Sequence, residues 1–412
     1  MRPSAENQAA FQPAFRPASN EEDPRMTTVQ GHCDPAFSAV RDAFEDNFAT
    51  GREVGAAVTV YAGDRLVVDL WGGVADRRTG REWGHDTPCV AFSCTKAVTA
   101  AAAALLAERG AYEVDGQVAK WWPEFAVGGK EETTAAHLLS HQGGLAALAR
   151  PLSAEEAADP KAVADQLASQ TPEWVPGEAH GYHALTYGWL AGEIVRRHSG
   201  RTVGQFVKDE FARDLDLWIG APDSVIERAA KLTATRPGGS DPISLGEAQD
   251  LLTRMSNAYL DPQSLLNRAL NNPSPGKGGY NNPVVLRGGW PAAGMVTTAP
   301  ALAGFYRDLL AGRIVRQDTL RAAISPRVSG PDRVLLADSS FGLGFMRPSS
   351  SYRVPHAGRK TAFGHSGAGG SLGLGDVERG VAMAYVMNRM GNELSGDPRA
   401  YQLAEAVYAC LS

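Results

Sequence analysis

Strand-like runs stand at both ends of this chain and helical patterns fill its middle, and no other feature constrains the fold as much. Residues 54–61 (VGAAVTVY) and 65–71 (RLVVDLW) are rich in β-branched and aromatic residues and flank a short Ala-Gly-Asp turn, the pattern of a β-hairpin. The last quarter returns to extended runs at 341–346, 362–367 and 370–375, and a turn at 376–380 leads into 381–387 (VAMAYVM). Strands at the two ends with helices between predict one sheet built from both ends, with a helical lobe inserted.

Residues 35–50 place Phe37, Val40, Phe44 and Phe48 at helical spacing. Residues 93–109 (SCTKAVTAAAAALLAER) are rich in strong helix formers and stop at Gly110. Further helices are expected at 187–198, closed by Gly200, and at 398–411. Residues 270–289 are dense in Asn, Pro and Gly, which predicts a long loop rimming a site. The expected division is a disordered leader at 1–34, an α/β lobe from 35–110 plus 290–412, and a mainly helical lobe at 111–289 with substrate-rim loops.

The formal charge of -6, from 40 basic and 46 acidic residues, lacks the basic footprint of a nucleic-acid binder. No window reaches the roughly 18 apolar residues of a membrane span. The first residues are polar, without the apolar core of a secretory signal, and Met26 is an alternative start to Met1. A cytoplasmic location is expected. Cys33, Cys89, Cys94 and Cys410 show no metal-ligand rhythm and read as free thiols, with Cys94 a packing residue.

Three segments carry chemistry. Only 8 of the basic residues are lysines, yet Ser-x-x-Lys occurs twice. In Ser274-Pro275-Gly276-Lys277, Pro and Gly forbid the helix that would bring the two side chains together. In Ser93-Cys94-Thr95-Lys96, serine and lysine share one helix face, and a buried amine can withdraw the hydroxyl proton. The plainer alternative is a polar helix start. The second segment is Pro176-Gly177 followed by Tyr182, just before a helix. A phenol held near a lysine can stay partly ionised and act as a general base, the alternative being a half-buried core tyrosine. The third is Gly364-His365-Ser366-Gly367-Ala368-Gly369. Its small residues let a substrate lie along the strand edge, and a backbone N–H past His365 could face that of Ser93 across a carbonyl oxygen.

Other features weigh less. Gly369-Gly370-Ser371-Leu372-Gly373 fits G-x-S-x-G, but no His follows His365, as that elbow's chain order demands. His137 and His141, four apart on an expected helix, lack a third zinc ligand. His180 and His183 flank Tyr182 and could tune it. Trp71, Trp174 and Trp290 read as core.

Taken in this order, Ser93/Lys96, Pro176-Gly177 with Tyr182, and His365-Ser366-Gly367 resemble the S-x-x-K, Y-x-N and K-T-G or H-x-G motifs of the serine β-lactamase and penicillin-binding-protein superfamily. The resemblance spans residues 35–411 and is nearer to class C-type enzymes and family VIII carboxylesterases, notably at 138–145 (LLSHQGGL) and 182–197. It implies an α/β (α+β) fold of the β-lactamase/transpeptidase type, with a central antiparallel sheet flanked by helices. It implies Ser93 as nucleophile and Lys96 and Tyr182 as its proton-transfer network, Tyr182 also activating the deacylating water. The backbone N–H groups of Ser93 and Ala368 become the oxyanion donors. His365, Ser366, Gly367 and Ala184 line the substrate site. No metal or other cofactor is implied, and the partner is a small ester or acyl compound.

Two positions depart from the pattern: Ala184 replaces the Asn of Y-x-N, and His365 replaces the Lys of K-T-G. Both remove groups that would hold the amide and carboxylate of a β-lactam, which tilts the expectation toward simple esters with residual β-lactam hydrolysis. An acyltransferase or amidase would use the same acyl-enzyme. A β-lactamase or D-Ala-D-Ala peptidase fits less well without an export signal. A non-catalytic sensor fits less well because the serine, lysine and tyrosine are all kept.

Overall fold

The expected hairpin forms part of the main sheet of the computed structural model, which describes residues 27–233, 247–391 and 396–411. The strands are β1 (Gln30–Cys33), β2 (Gly55–Ala62), β3 (Arg65–Asp76), β4 (Arg81–Glu82), β5 (Cys89–Val90), β6 (Leu217–Ile219), β7 (Met295–Thr297), β8 (Val328–Pro331), β9 (Asp338–Phe341), β10 (Ala362–Ser366), β11 (Leu372–Asp376) and β12 (Val381–Met387). The main sheet runs β1-β3-β2-β12-β11-β10, with β4 on β3. Every pairing in it is antiparallel. The two ends of the chain meet where β2 pairs β12, with Val58 opposite Tyr385.

Period-two alternation explains how β12 serves two layers. Ala382, Ala384 and Val386 pack with Phe305 and Tyr306 of the Ala299–Leu310 helix. Val381, Met383 and Tyr385 pack instead with Val40 and Phe44 of the Ser38–Ala49 helix and Leu403 and Val407 of the Pro398–Ala409 helix. Glycine lets the first layer come close: a Cβ at Gly373 would lie 2.5 Å from the Tyr306 ring.

The alanine-rich helix runs Thr95–Glu108, and every residue from Thr95 to Leu106 is buried. Small side chains allow it to run through the interior, against the Thr186–Ser199 helix, whose Tyr187, Ala191 and Ile194 share its core. A separate apolar cluster, including Trp122, Leu138, Leu167, Trp189 and Trp290, fills the helical middle of the chain. Among the described residues, no helix is long and apolar enough to cross a membrane.

Four expectations are corrected. Ordered structure starts before Pro35: β1 pairs β3 through Gln30↔Trp71 to Cys33↔Val68. Backbone pairing holds this exposed strand, so no apolar pattern marks it; the rest of the expected leader, residues 1–26, lies outside the described residues. Residues 270–289 are not a continuous loop. Helix Leu265–Asn271 reaches into them, and helix Pro283–Gly288 follows a short turn. Asn282 caps that helix by accepting from the Val284 N–H, Pro283 sits in its first turn, and Gly289 closes it with a φ of 56°. Asn, Pro and Gly thus served as helix boundaries. The run 341–346 is extended only to Phe341, with Met346 bridged singly to Phe341 and Gly364. His141 lies past the Ala135–Leu139 helix at a φ of 63°, so it does not share a helix face with His137.

Candidate active site

Ser93 sits in the short 3-10 turn Phe92–Cys94 that leads into the Thr95–Glu108 helix. The turn is sharp: Phe92 has a φ of 45°, left-handed for a residue with a Cβ, a strain of order 1 kcal/mol or more. The Thr95 hydroxyl donates to the Phe92 carbonyl, and Ala91 C=O accepts from the Cys94 N–H at 3.1 Å and the Ser371 hydroxyl at 3.0 Å. Ser371 is therefore a buried brace, consistent with rejecting the G-x-S-x-G motif.

Lys96 is 0% exposed. Its Nζ donates to the carbonyls of Ala184 at 2.7 Å and Ala292 at 3.0 Å and lies 3.1 Å from Ser93 Oγ. Burial drives its pKa well below the ordinary lysine value. A neutral amine has two N–H donors and one lone pair, so the two carbonyls take the donors and the lone pair is left for the Ser93 hydroxyl.

Tyr182 arrives from far along the chain, and local hydrogen bonds fix its segment. Gly181 N–H donates to His141 C=O at 3.1 Å, and His183 N–H donates to His141 Nδ1 at 3.0 Å. The His183 ring donates from Nδ1 to Gly181 C=O at 2.7 Å and accepts the Leu145 N–H at Nε2 at 3.0 Å. Burial holds His183 neutral, its pKa lowered to about 4. The ring of Tyr182 stacks on Phe341 at a centroid distance of 6.0 Å, and Lys96 Nζ lies 4.7 Å from its centroid. Burial pushes the phenol's pKa up, with the hydrogen-bonded Ser93 side chain opposing that shift. Burial therefore works against the expected partial ionisation. It lowers the Lys96 pKa as well, which weakens any cationic support for a phenolate beside it.

Ser93, Tyr182, Ala184, His365, Ser366 and Ala368 all line one cavity of about 440 Å³. Gly367 is the exception: its Cα turns toward Ser371 and Ala91, where a Cβ would lie 2.0 Å from Ser371 Oγ. His365 is 1% exposed, donates from Nδ1 to Ser366 C=O at 2.7 Å, and is kept neutral by burial, its pKa lowered to about 3. Leu232, Leu270, Tyr280, Leu335, Met346 and Met390 add apolar surface to the lining, beside the polar Thr233, Asn271 and Asn281. Leu270 and Tyr280 fall within 270–289, the segment expected to rim the site; the other apolar residues were not picked out from the sequence, because isolated apolar residues carry no local sign of which cavity they face. Among the described residues, no Asp, Glu, Lys or Arg lines the cavity.

The beta-lactamase family's pattern matches residues 40–408.

The chain belongs to the beta-lactamase family.

It is similar to the esterase/beta-lactamase LipL of Mycobacterium tuberculosis, with 32% identity over 375 residues, 88% of this chain and 83% of the relative. Among solved structures, a family VIII carboxylesterase superposes with a TM-score of 0.82 at 32% identity, covering 93% of this chain and 100% of the other. A penicillin-binding-protein homologue from Caulobacter crescentus gives 0.79 at 38% identity, with the same coverage. The protein is a hydrolase of the β-lactamase fold, and the resemblance drawn from its motifs holds over nearly the whole chain.

Proposed function

We propose that this protein is a serine carboxylesterase acting on small uncharged esters through an acyl-enzyme. The observation that carries the reading is the arrangement at Lys96, whose two carbonyl partners leave its lone pair for the Ser93 hydroxyl. Ser93 Oγ attacks the ester carbonyl as its proton passes to Lys96. The carbonyl oxygen, now an anion, is received by the backbone N–H groups of Ser93 and Ala368. The Tyr182 phenol protonates the departing alkoxide and recovers its proton from the Lys96 ammonium. Water then attacks the acyl-enzyme, giving its proton to the same amine, and the acid leaves as Ser93 is reprotonated.

The cavity wall supports an uncharged substrate. A carboxylate entering it meets no cationic side chain among the described residues, and His365 is neutral. Ala184 offers no side-chain amide to read a β-lactam. The names of LipL and the family VIII neighbour agree with an esterase, and the first also with β-lactam chemistry.

The test is a panel of p-nitrophenyl esters of graded acyl length set beside nitrocefin. Fast ester turnover, slow nitrocefin turnover and loss of both in Ser93→Ala are expected. Nitrocefin turned over faster than every ester would overturn the substrate assignment, and full turnover by Ser93→Ala would overturn the mechanism.

A further inference from the structure

The turn that carries Ala368 is held from behind by a buried ion cluster that the proposed chemistry does not use. Arg399, in the first turn of the Pro398–Ala409 helix, is 4% exposed. Its Nη2 donates to Gly369 C=O at 2.6 Å and to Asp397 Oδ2 at 2.7 Å, and its Nε donates to Asp397 Oδ1 at 3.0 Å. Its Nη1 donates to Glu53 Oε2 at 3.1 Å. The Gly391 N–H also donates to Gly369 C=O, at 2.8 Å.

Two planar peptides carry this grip forward. Gly369 C=O and Gly370 N–H belong to one peptide unit, and Gly370 N–H donates to Gly367 C=O at 3.2 Å. Gly367 C=O and Ala368 N–H belong to another such unit, which this hydrogen bond ties to the first. Holding the Gly369 carbonyl therefore holds the direction of the Ala368 N–H, two planes away. The fit is close: a Cβ on Gly370 would lie 2.7 Å from Arg399 Nη2 and 3.0 Å from Asp397 Oδ2. Gly369 takes a φ of 77°, so the turn adopts a shape that glycine favours.

We propose that Arg399 is a positioning residue for the oxyanion hole, aiming the Ala368 N–H at the substrate oxygen through the Gly369 carbonyl. The inference rests on the acyl-enzyme reading above. Arg399 touches no substrate; it acts through the turn. A purely structural role, tying the terminal helix to Glu53, would lower the amount of active enzyme without changing what the site discriminates.

The experiment compares matched ester and thionoester substrates in the full chain and in Arg399→Ala. A thiocarbonyl sulfur is a poor hydrogen-bond acceptor with a longer bond, so an intact hole favours the oxygen ester. Arg399→Ala is expected to lower kcat/KM for the ester by about ten- to a hundredfold. The thionoester rate should fall far less, shrinking the ester-to-thionoester ratio by about tenfold. Arg399→Lys keeps the charge beside Glu53 and Asp397 but loses the fork; it should shrink the ratio by a smaller factor, and it supplies the readout if the alanine variant does not fold. Equal losses on both substrates, or an unchanged ratio in both variants, would overturn the proposal. Ser93→Ala separates the two failures. If it retains turnover, the acyl-enzyme reading itself fails; if it is inactive while the ratio stays fixed, only the role of Arg399 fails.

Discussion

The Asp332 carboxylate accepts the backbone N–H of Tyr182 at 3.0 Å through Oδ1, and the same oxygen accepts the N–H groups of Val334 at 2.8 Å and Leu335 at 2.9 Å. Asp332 is 3% exposed, and its Oδ2 accepts the Ser339 hydroxyl at 2.7 Å, which in turn meets His180 Nε2 at 3.0 Å. One buried carboxylate thus fixes both the segment bearing the phenol and a piece of the cavity wall. Asp332→Ala strands three buried backbone N–H donors and removes the Ser339 hydroxyl's acceptor, and should cost about 3 kcal/mol of stability and at least about tenfold in kcat. Asp332→Asn keeps an acceptor at Oδ1 and should recover most of both. Thermal melts read beside kcat check this, and an alanine variant matching the wild type in both would remove the clamp's significance.

Lys96 gives a pH dependence with a definite sign. Burial lowers its pKa, and in the proposed mechanism the neutral amine is the reactive form. Ester kcat/KM should therefore climb with pH through that lowered value and level off well below the ordinary lysine pKa. Lys96→Arg places a permanent positive charge there that cannot become neutral in the working range, so it should be as inactive as Lys96→Ala. A rate still climbing steeply through pH 10, or an active arginine variant, would contradict the assignment.

Tyr182→Phe isolates the phenol, because the stacking on Phe341 survives the change. Loss of the proton donor should lower kcat by about a hundredfold or more, with KM changed by less than about threefold. A larger effect on KM than on kcat, in steady-state assays on one ester, would assign Tyr182 to binding instead.

Glu53 links stability to pH. It is fully buried, accepts the Tyr385 hydroxyl and shares the Arg399 guanidinium with Asp397. Burial is the first cause that raises its pKa, from 4.5 to about 8, and Arg399 opposes the shift. The folded protein then binds the proton more tightly than the unfolded chain, so the contribution is full below about 4.5 and is lost as pH rises through about 8. The melting temperature should fall across that window, and Glu53→Gln should flatten the fall. Parallel melting curves for the two proteins would show that Glu53 does not carry the effect.

The parts of the site legible in the sequence are those that depend on local geometry. Ser93 and Lys96 lie three residues apart across the 3-10 turn and the start of the helix, so local backbone alone brings them together, and β12 has the same bounds as the expected run 381–387. Residues 270–289 were misread because Asn, Pro and Gly end helices as readily as they form loops. Asp332 and Arg399 could not be singled out. An aspartate or arginine is ordinarily a surface residue, and nothing near either marks it as buried.

The sequence by itself determined the sheet built from both ends, the Ser93–Lys96 pair and the family motifs, because each rests on periodicity or on neighbours within a turn. Only the tertiary structure decided that burial lowers the pKa values of Lys96 and His365, that it raises that of Tyr182, and that Arg399 grips Gly369. Charge state follows from how much water the whole fold removes, and that depends on segments hundreds of residues apart meeting at one place.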